Sequence, residues 1–226
     1  MLKDFIHLLY PPCCLCCHTV LDPHEKHVCL ACITQFPRTY FERISMNTVE
    51  QVFRGRLLLE AATALWYFYP ESKTQSLMHA LKYHDSVDAG IYMGKLLGKS
   101  IREADRFPKP EMLIPVPLHP GKMRKRGYNQ AEVIAKGMQK VLDIPINTSA
   151  LQRVAFNESQ TKKGRFARWQ NVETIFKAIK PKEVLGKHVL LIDDVLTTGA
   201  TLEACGKQLQ EAGVSALSIA TVAYTA

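Results

Sequence analysis

The stretch V-L-L-I-D-D-V-L-T-T-G-A-T-L, at Val189–Leu202, is the most informative part of this sequence about its fold. Its first four residues, Val189–Ile192, are all apolar, which is typical of a strand buried on both faces of a parallel sheet. Two carboxylates, Asp193 and Asp194, follow at the carboxyl end of that strand. Apolar residues at helical spacing then run from Leu202 to about Ala212. The order predicts a strand, an acidic pair, a short loop and a helix.

The loop between the predicted strand and helix suits a phosphate group. A chain that enters a helix presents unpaired backbone N–H groups and the positive end of the helix dipole, which attract an anion. The glycine lets a ligand approach the backbone, and the threonines add hydroxyl donors. The predicted phosphate-binding residues are Thr197, Thr198, Gly199, Ala200 and Thr201.

The acidic pair suits a different part of the same ligand. Asp193 and Asp194 have the wrong charge to hold a phosphate, but they suit a sugar diol or a magnesium ion whose waters bridge to phosphates. The sequence contains neither G-x-x-x-x-G-K-[ST] nor G-x-G-x-x-G, which excludes a Walker loop and a dinucleotide fingerprint. The alternative is a buried strand whose acids and threonines only cap the next helix.

This segment resembles the phosphoribosyl pyrophosphate (PRPP) signature of type I phosphoribosyltransferases. The resemblance implies that Asp193 and Asp194 contact the ribose hydroxyls and are the catalytic acids of the site. It implies that the loop at 197–201 cradles the 5′-phosphate. It also implies Mg²⁺ as a cofactor that binds together with PRPP.

The composition fits a globular protein with anionic partners. The chain has 226 residues, of which 47% are hydrophobic and 22% charged, and its formal net charge is +8. That length holds one α/β domain and a small appendage. No apolar run approaches the roughly 20 residues of a membrane helix, and the N-terminal apolar stretch is too short for a signal peptide. We therefore expect a cytoplasmic protein with reduced thiols and no membrane insertion.

Cysteines near the N-terminus predict a structural zinc site. Two C-x-x-C pairs separated by 11 residues supply the four thiolates of a tetrahedral zinc site. The preferred ligands are Cys14, Cys17, Cys29 and Cys32. Cys13 and Cys16 offer a second register for the first pair, so the register stays open. Four thiolates leave no coordination position for a substrate, so the zinc would stabilise the fold.

Two basic segments suit a pyrophosphate or a nucleic-acid backbone. Met112–Leu118 predicts a strand that ends at prolines, and the loop after it carries the basic run Lys122–Arg126. Lys122 and Arg126 are its predicted PRPP contacts. The second segment, Asn157–Asn171, predicts a lid over the substrate or an arm on nucleic acid. Its candidate contacts are Arg165, Arg168 and Trp169. For both segments the alternative is an ordinary exposed loop.

Predicted strands and helices alternate along most of the chain. This alternation predicts an α/β fold with a twisted, mostly parallel sheet and helices on both faces. We predict two domains, a zinc-binding knuckle at residues 1–40 and a phosphoribosyltransferase-like domain at residues 41–226.

Further motifs narrow the resemblance to the ComF family, also called ComFC or GntX-like. Besides the cysteine pairs, they are Leu81-Lys82-Tyr83, I-P-V-P-L-H-P at 114–120 and R-G-Y-N-Q at 126–130. Members of this family carry a zinc finger and a phosphoribosyltransferase domain, so the resemblance covers nearly the whole chain. It implies a role in natural competence, with single-stranded DNA and competence proteins such as a DNA translocase as candidate partners.

Two functions remain open from the sequence. In the first, the protein binds PRPP and handles incoming single-stranded DNA during DNA uptake, without turnover. In the second, it is a true phosphoribosyltransferase, a glycosyltransferase that uses Mg-PRPP and an unidentified base or nucleic-acid acceptor in nucleotide metabolism. A purely structural scaffold is disfavoured, because it would need no acids at Asp193 and Asp194.

Overall fold

The computed structural model describes residues 11–83, 87–154 and 175–225. The strands in chain order are β1 Ala61–Phe68, β2 Met112–Pro115, β3 Leu151–Arg153, β4 Phe176–Ala178, β5 His188–Leu196 and β6 Ala216–Thr225. The helices are α1 Leu30–Ile33, α2 Thr48–Val52, α3 Lys73–Tyr83, α4 Val87–Arg102, α5 Pro120–Arg126, α6 Gln130–Leu142, α7 Pro181–Val184 and α8 Ala200–Glu211. A 3₁₀ turn lies at Phe41–Arg43.

Four parallel strands form the main sheet, in the order β1-β6-β5-β2. The short strands β3 and β4 pair antiparallel in a separate hairpin. Ile192 of β5 pairs with Pro115 of β2 on one side and with Ala220 of β6 on the other. The pairing confirms the predicted α/β fold and brings the carboxyl ends of β2 and β5 together.

The sheet is covered on both faces, as the continuous apolar run of β5 predicts. Leu190 points into a core that contains residues of α3, α4 and α6, whereas Leu191 points into a core formed with α2 and α8. Both side chains are fully buried. Because successive strand residues face opposite sides, an uninterrupted apolar run is what a strand between two helical layers requires.

The backbones of α4 and α6 are in direct contact. A Cβ added at Gly94 would lie 2.0 Å from the carbonyl oxygen of Ile134, and one added at Gly137 would lie 2.2 Å from that of Ile91. Only glycine fits at this crossing, because any side chain would overlap backbone of the facing helix. The contact fixes α6, whose first turn reaches the carboxyl end of β2.

The basic segment after β2 differs from the predicted loop, because residues 120–126 form helix α5. Pro120 occupies the first helical position, and His119 caps the helix by accepting the Gly121 N–H at its Nδ1, at 3.0 Å. Gly127 ends the helix with a φ of +77°. These proline and glycine signals are readable in the sequence, and the loop prediction overlooked them.

Strand β5 is also longer than the predicted four-residue run. It continues through Asp193 and Asp194 to Leu196, because β6 pairs with it along that whole length. None of the helices in the described ranges has the length and hydropathy needed to cross a bilayer. The boundary between the two predicted domains stays a prediction.

Candidate functional site

A cleft of about 260 Å³ opens where β2 and β5 end. Its polar and charged lining residues are Lys82, Lys122, Arg126, Asn129, Gln130, Arg153, Asp193, Asp194, Thr197 and Thr201. Six of the predicted site residues are therefore neighbours in space: both acids, two threonines and both basic residues. Thr198 and Gly199 lie in the loop before α8 and Ala200 begins that helix, but these three residues do not line the cleft.

The acidic pair lies in the last part of β5, beside the end of β2. The Val116 N–H donates to the Ile192 carbonyl at 2.9 Å, which extends the pairing of β2 with β5 to the edge of the cleft. The Asp194 N–H donates to Oδ1 of Asp193, also at 2.9 Å. Burial of the carboxyl and the neighbouring charge of Asp194 raise the pKa of Asp193 well above its usual value. A proton or a cation would therefore be favoured at this pair.

The loop after β5 leads into the amino end of α8. Gly199 precedes the helix with a φ of +77°, and a Cβ there would lie 2.9 Å from Cε1 of Phe53. Glycine is therefore needed both for its left-handed backbone and for its close packing. Arg56 supports the loop: its Nη1 donates to the Thr198 carbonyl at 3.3 Å, and its guanidinium pairs with Glu203 in the first turn of α8. The N–H groups that open a helix generally lack intrahelical partners, which suits an anion site. Here the Ala200 N–H donates to Oγ1 of Thr198 at 3.5 Å, and the Glu203 N–H donates to the Gly199 carbonyl at 2.8 Å.

Helix α5 forms the basic wall of the cleft. Lys122 and Arg126 are four residues apart, so they lie on the same side of α5. Nη1 of Arg126 donates to Oε1 of Gln130 at 2.9 Å, which joins α5 to α6. Asn129 caps α6 through its Oδ1, and its Nδ2 donates to the Val116 carbonyl at 2.9 Å. The cap at Asn129 thus also joins the start of α6 to the end of β2.

Two basic residues of the cleft were missed by sequence reasoning. Lys82 comes from the last turn of α3, and its Nζ lies 3.8 Å from Oδ2 of Asp194. Arg153 comes from β3, and its guanidinium lies 5.3 Å from the ring centroid of Phe176 in β4. Lys82 belongs to a motif that carried the family resemblance, which was a usable signal. Nothing near Arg153 in the sequence marks it as a site residue.

The candidate lid or nucleic-acid contacts Arg165, Arg168 and Trp169 lie outside the described residues. Their roles stay predictions.

Four cysteine sulfurs converge in the N-terminal segment. The Sγ atoms of Cys14, Cys17, Cys29 and Cys32 all lie within 4.8 Å of one another. Thiolates at about 2.3 Å from a tetrahedral ion would lie roughly 3.8 Å apart, so this set suits a metal ion such as zinc. The backbone N–H groups of Cys16 and Cys29 point at the Cys14 sulfur, at 3.4 and 3.3 Å, which favours its thiolate form.

The cysteines of the second register lie elsewhere. The exposed Cys13 points its Sγ at the Pro11 carbonyl, 3.4 Å away. The buried Cys16 points its Sγ at the Lys73 carbonyl in the first turn of α3, 3.6 Å away. We call the segment from Cys14 to Cys32 the cysteine knuckle. Its buried residues share the core that contains Leu77 of α3, so the knuckle packs directly on the sheet domain.

The phosphoribosyl transferase domain family matches residues 127–226 of this chain. That range includes the acidic pair, the threonine-glycine loop and α8. The match therefore falls on the part of the cleft that the sequence motif predicted.

Three curated relatives extend the comparison. Competence protein F of Haemophilus influenzae is 32% identical over 147 residues, which cover 63% of this chain and 64% of that protein. DNA utilization protein YhgH of Escherichia coli is 25% identical over 146 residues, with coverage of 63% of each chain. Competence protein ComFC of Bacillus subtilis is 36% identical over 105 residues, which cover 46% of this chain and 40% of that protein.

In each case the matched region spans less than two thirds of the relative's own length. The names of two of these relatives agree with the family indicated by the sequence motifs. Residues 127–226 are thus similar to a phosphoribosyl transferase domain, and the resemblance of the chain to the ComF family is confirmed.

Proposed function

We propose that this protein binds Mg-PRPP in the cleft at the ends of β2 and β5. The observation that carries the proposal is the grouping of an acidic pair, a helix-initiating threonine-glycine loop and a basic wall around one cavity of about 260 Å³. A ligand that contains a ribose diol, a terminal phosphate and a pyrophosphate needs these three kinds of partner in one site.

Each part of PRPP has a matching region in the cleft. The 5′-phosphate would bind the loop at 197–201 and the first turn of α8, through N–H groups and hydroxyls. The ribose hydroxyls would donate to Asp193 and Asp194. Lys122 and Arg126 would neutralise the pyrophosphate.

Magnesium fits the same site through the chemistry of its donors. Carboxylate oxygens are ligands that Mg²⁺ accepts, directly or through waters, and Asp193 and Asp194 supply them. The pKa of Asp193, raised by burial and by its acidic neighbour, indicates a site where a cation would be stabilising. Bound magnesium would neutralise part of the pyrophosphate charge.

For the cysteine knuckle we propose a structural zinc ion. The convergence of four thiolates within 4.8 Å and the absence of an open coordination position support a structural role. Location in the cytoplasm stays a prediction.

The biological role that we propose is the handling of incoming single-stranded DNA in natural competence. The names competence protein F and DNA utilization protein YhgH support this role by similarity alone. Exposed Arg124 and Lys125 on α5 lie beside the cleft and would contact a nucleic-acid backbone. A competence protein such as a DNA translocase is the proposed partner.

The alternative is a phosphoribosyltransferase, which the match to the transferase domain favours. An acceptor nucleophile would form a bond to the anomeric carbon of PRPP. The bond from that carbon to pyrophosphate would break, and pyrophosphate would leave with the electron pair. Catalysis would come from positioning and from neutralising the leaving group.

The deciding experiment measures PRPP binding and pyrophosphate release in the same samples. Mg-PRPP is titrated by calorimetry, and release is followed with nucleobases, nucleosides and single-stranded DNA as acceptors. Binding with release would establish the transferase and its acceptor class. Binding without release from this panel would favour the DNA-handling role, and no binding would refute the PRPP site.

A DNA titration at several salt concentrations tests the second part of the proposal. Contacts to several phosphates make the affinity fall steeply as salt rises. Arg124→Gln with Lys125→Gln should weaken DNA binding and reduce that dependence. Lys95→Gln removes an exposed charge from α4 and serves as the control. A DNA affinity that does not change with salt concentration would refute a contact between α5 and the DNA backbone.

A further inference from the structure

Lys82 is the basic residue of the cleft that approaches the acidic pair most directly. Its Nζ lies 3.8 Å from Oδ2 of Asp194, with 29% of the lysine side chain and 15% of the aspartate side chain exposed. Among the described residues that line the cleft, no other basic side chain forms an ion pair with either acid. Because both groups are partly buried, salt screens this pair less than it screens a fully exposed ion pair.

The backbone that carries Lys82 is held at both ends of α3. At the first turn, Cys16 of the cysteine knuckle points its Sγ at the Lys73 carbonyl. At the last turn, the Leu81 carbonyl accepts the hydroxyl of Tyr128, from the short connection between α5 and α6. The fully buried Leu77 and Leu81 fix the helix against the sheet. A helix end anchored in this way can hold a charged side chain in one place.

The position of Lys82 differs from that of the other basic residues. Lys122 and Arg126 lie on the α5 wall, and Arg153 comes from the β3–β4 hairpin. Lys82 comes from α3, in the helical layer that packs on the Leu190 side of the sheet. It therefore approaches the acidic pair from an element that none of the other basic residues of the cleft occupies.

We infer that Lys82 is a positioning residue for PRPP, because its ammonium group holds the Asp194 carboxylate in the orientation that receives a ribose hydroxyl. This inference rests on the proposed PRPP site and adds a residue to it. Because Lys82 acts through Asp194, its loss should lower the affinity for ligands that contain the ribose. If Lys82 contacted the pyrophosphate directly, its loss would instead lower the affinity for ligands that contain pyrophosphate.

The test compares three ligands with the wild type, Lys82→Met and Lys82→Arg. Calorimetry measures the affinities for Mg-PRPP, ribose 5-phosphate and pyrophosphate. We expect Lys82→Met to lower the affinities for Mg-PRPP and ribose 5-phosphate by about tenfold each. The affinity for pyrophosphate should change by less than about twofold. Lys82→Arg keeps the charge and should recover most of the affinity. Lys95→Met, on the exposed side of α4, controls for the loss of one positive charge.

A double-mutant cycle asks whether the effect passes through Asp194. In an Asp194→Asn background, Lys82→Met should change the affinity for Mg-PRPP by less than twofold, because the charge that it orients is gone. A full tenfold loss in that background would overturn the inference. A loss confined to Mg-PRPP and pyrophosphate would also overturn it, in favour of a direct contact with the leaving group.

Binding measurements on the wild type distinguish failure of the proposed function from failure of the inference on Lys82. If the wild type does not bind Mg-PRPP, the proposed function fails and this inference fails with it. If the wild type binds and Lys82→Met binds equally well, only the inference on Lys82 fails. Melting of each variant by circular dichroism establishes that the compared proteins are folded.

Discussion

The cysteine knuckle and the cleft are built in opposite ways. All four sulfurs of the knuckle come from one short segment, and their spacing alone indicates a metal site. The cleft takes its charged residues from α3, α5, β3 and β5. The knuckle can therefore be derived from local sequence, whereas the cleft exists only once the sheet has brought distant strand ends together.

Because of this difference, a single substitution should have different consequences in the two regions. A ligand substitution in the knuckle would remove one of the four bonds to the proposed zinc ion. A substitution in the cleft changes one of several contacts to a large ligand, and the others remain. We therefore expect all-or-none behaviour in the knuckle and graded behaviour in the cleft.

The largest effect should follow the loss of a knuckle ligand. Cys14→Ser should abolish stoichiometric zinc, because a four-thiolate site supplies a metal-binding free energy on the order of 10 kcal/mol. Cys13→Ser is the matched control in the neighbouring position and should keep one zinc per chain. Metal analysis of the purified proteins measures both. Zinc retained by Cys14→Ser and lost from Cys13→Ser would establish the other register.

The next effect concerns the acidic pair. Asp194→Asn should weaken Mg-PRPP by about 100-fold, because charge-assisted hydrogen bonds to the ribose are lost together with the attraction for magnesium. Calorimetric titration measures the change, and Asp105→Asn in an exposed loop is the control. An unchanged affinity would show that the acids do not contact the ligand. An affinity too weak to detect would show that one substitution abolishes binding in the cleft, as expected for the knuckle.

A smaller effect is expected at the glycine before α8. Gly199→Ala should lower the free energy of unfolding by about 2 kcal/mol, from its left-handed backbone and from overlap with Phe53. Gly186→Ala isolates the backbone part, because Gly186 has a φ of +70° and no atom within 4 Å of an added Cβ. Urea unfolding measures both variants. Equal losses would show that packing against Phe53 contributes nothing.

The smallest effect is a gain of stability. Burial raises the pKa of Asp193, so its ionised form opposes folding at neutral pH in the absence of ligand and magnesium. Asp193→Asn should therefore stabilise the unliganded protein by about 0.5–2 kcal/mol at pH 8. The gain should shrink as the pH falls through the raised pKa, because the wild-type carboxyl then takes up a proton. Thermal melts from pH 8 to pH 5 measure it, and a gain that grows at low pH would contradict the assigned sign.

The sequence predicted what is contiguous along the chain and missed what depends on three-dimensional contacts. The run Val189–Ile192 predicted a doubly covered strand, because burial on both faces leaves only apolar residues. Asp193 and Asp194 were located because they adjoin that strand. Arg153 was missed, because it lies on β3, far along the chain from the acidic pair that it meets in the cleft. Helix α5 was missed although its proline and glycine ends are ordinary helix signals.

The glycine crossing of α4 and α6 affects how a mutational scan of this protein should be interpreted. Gly94 and Gly137 do not line the cleft, yet every substitution there would overlap a facing carbonyl. Such a scan would mark both positions as intolerant, at the level of a ligand contact. Intolerance of this kind records a steric requirement of the scaffold, and a search for binding residues based on intolerance alone would mistake it for a second site.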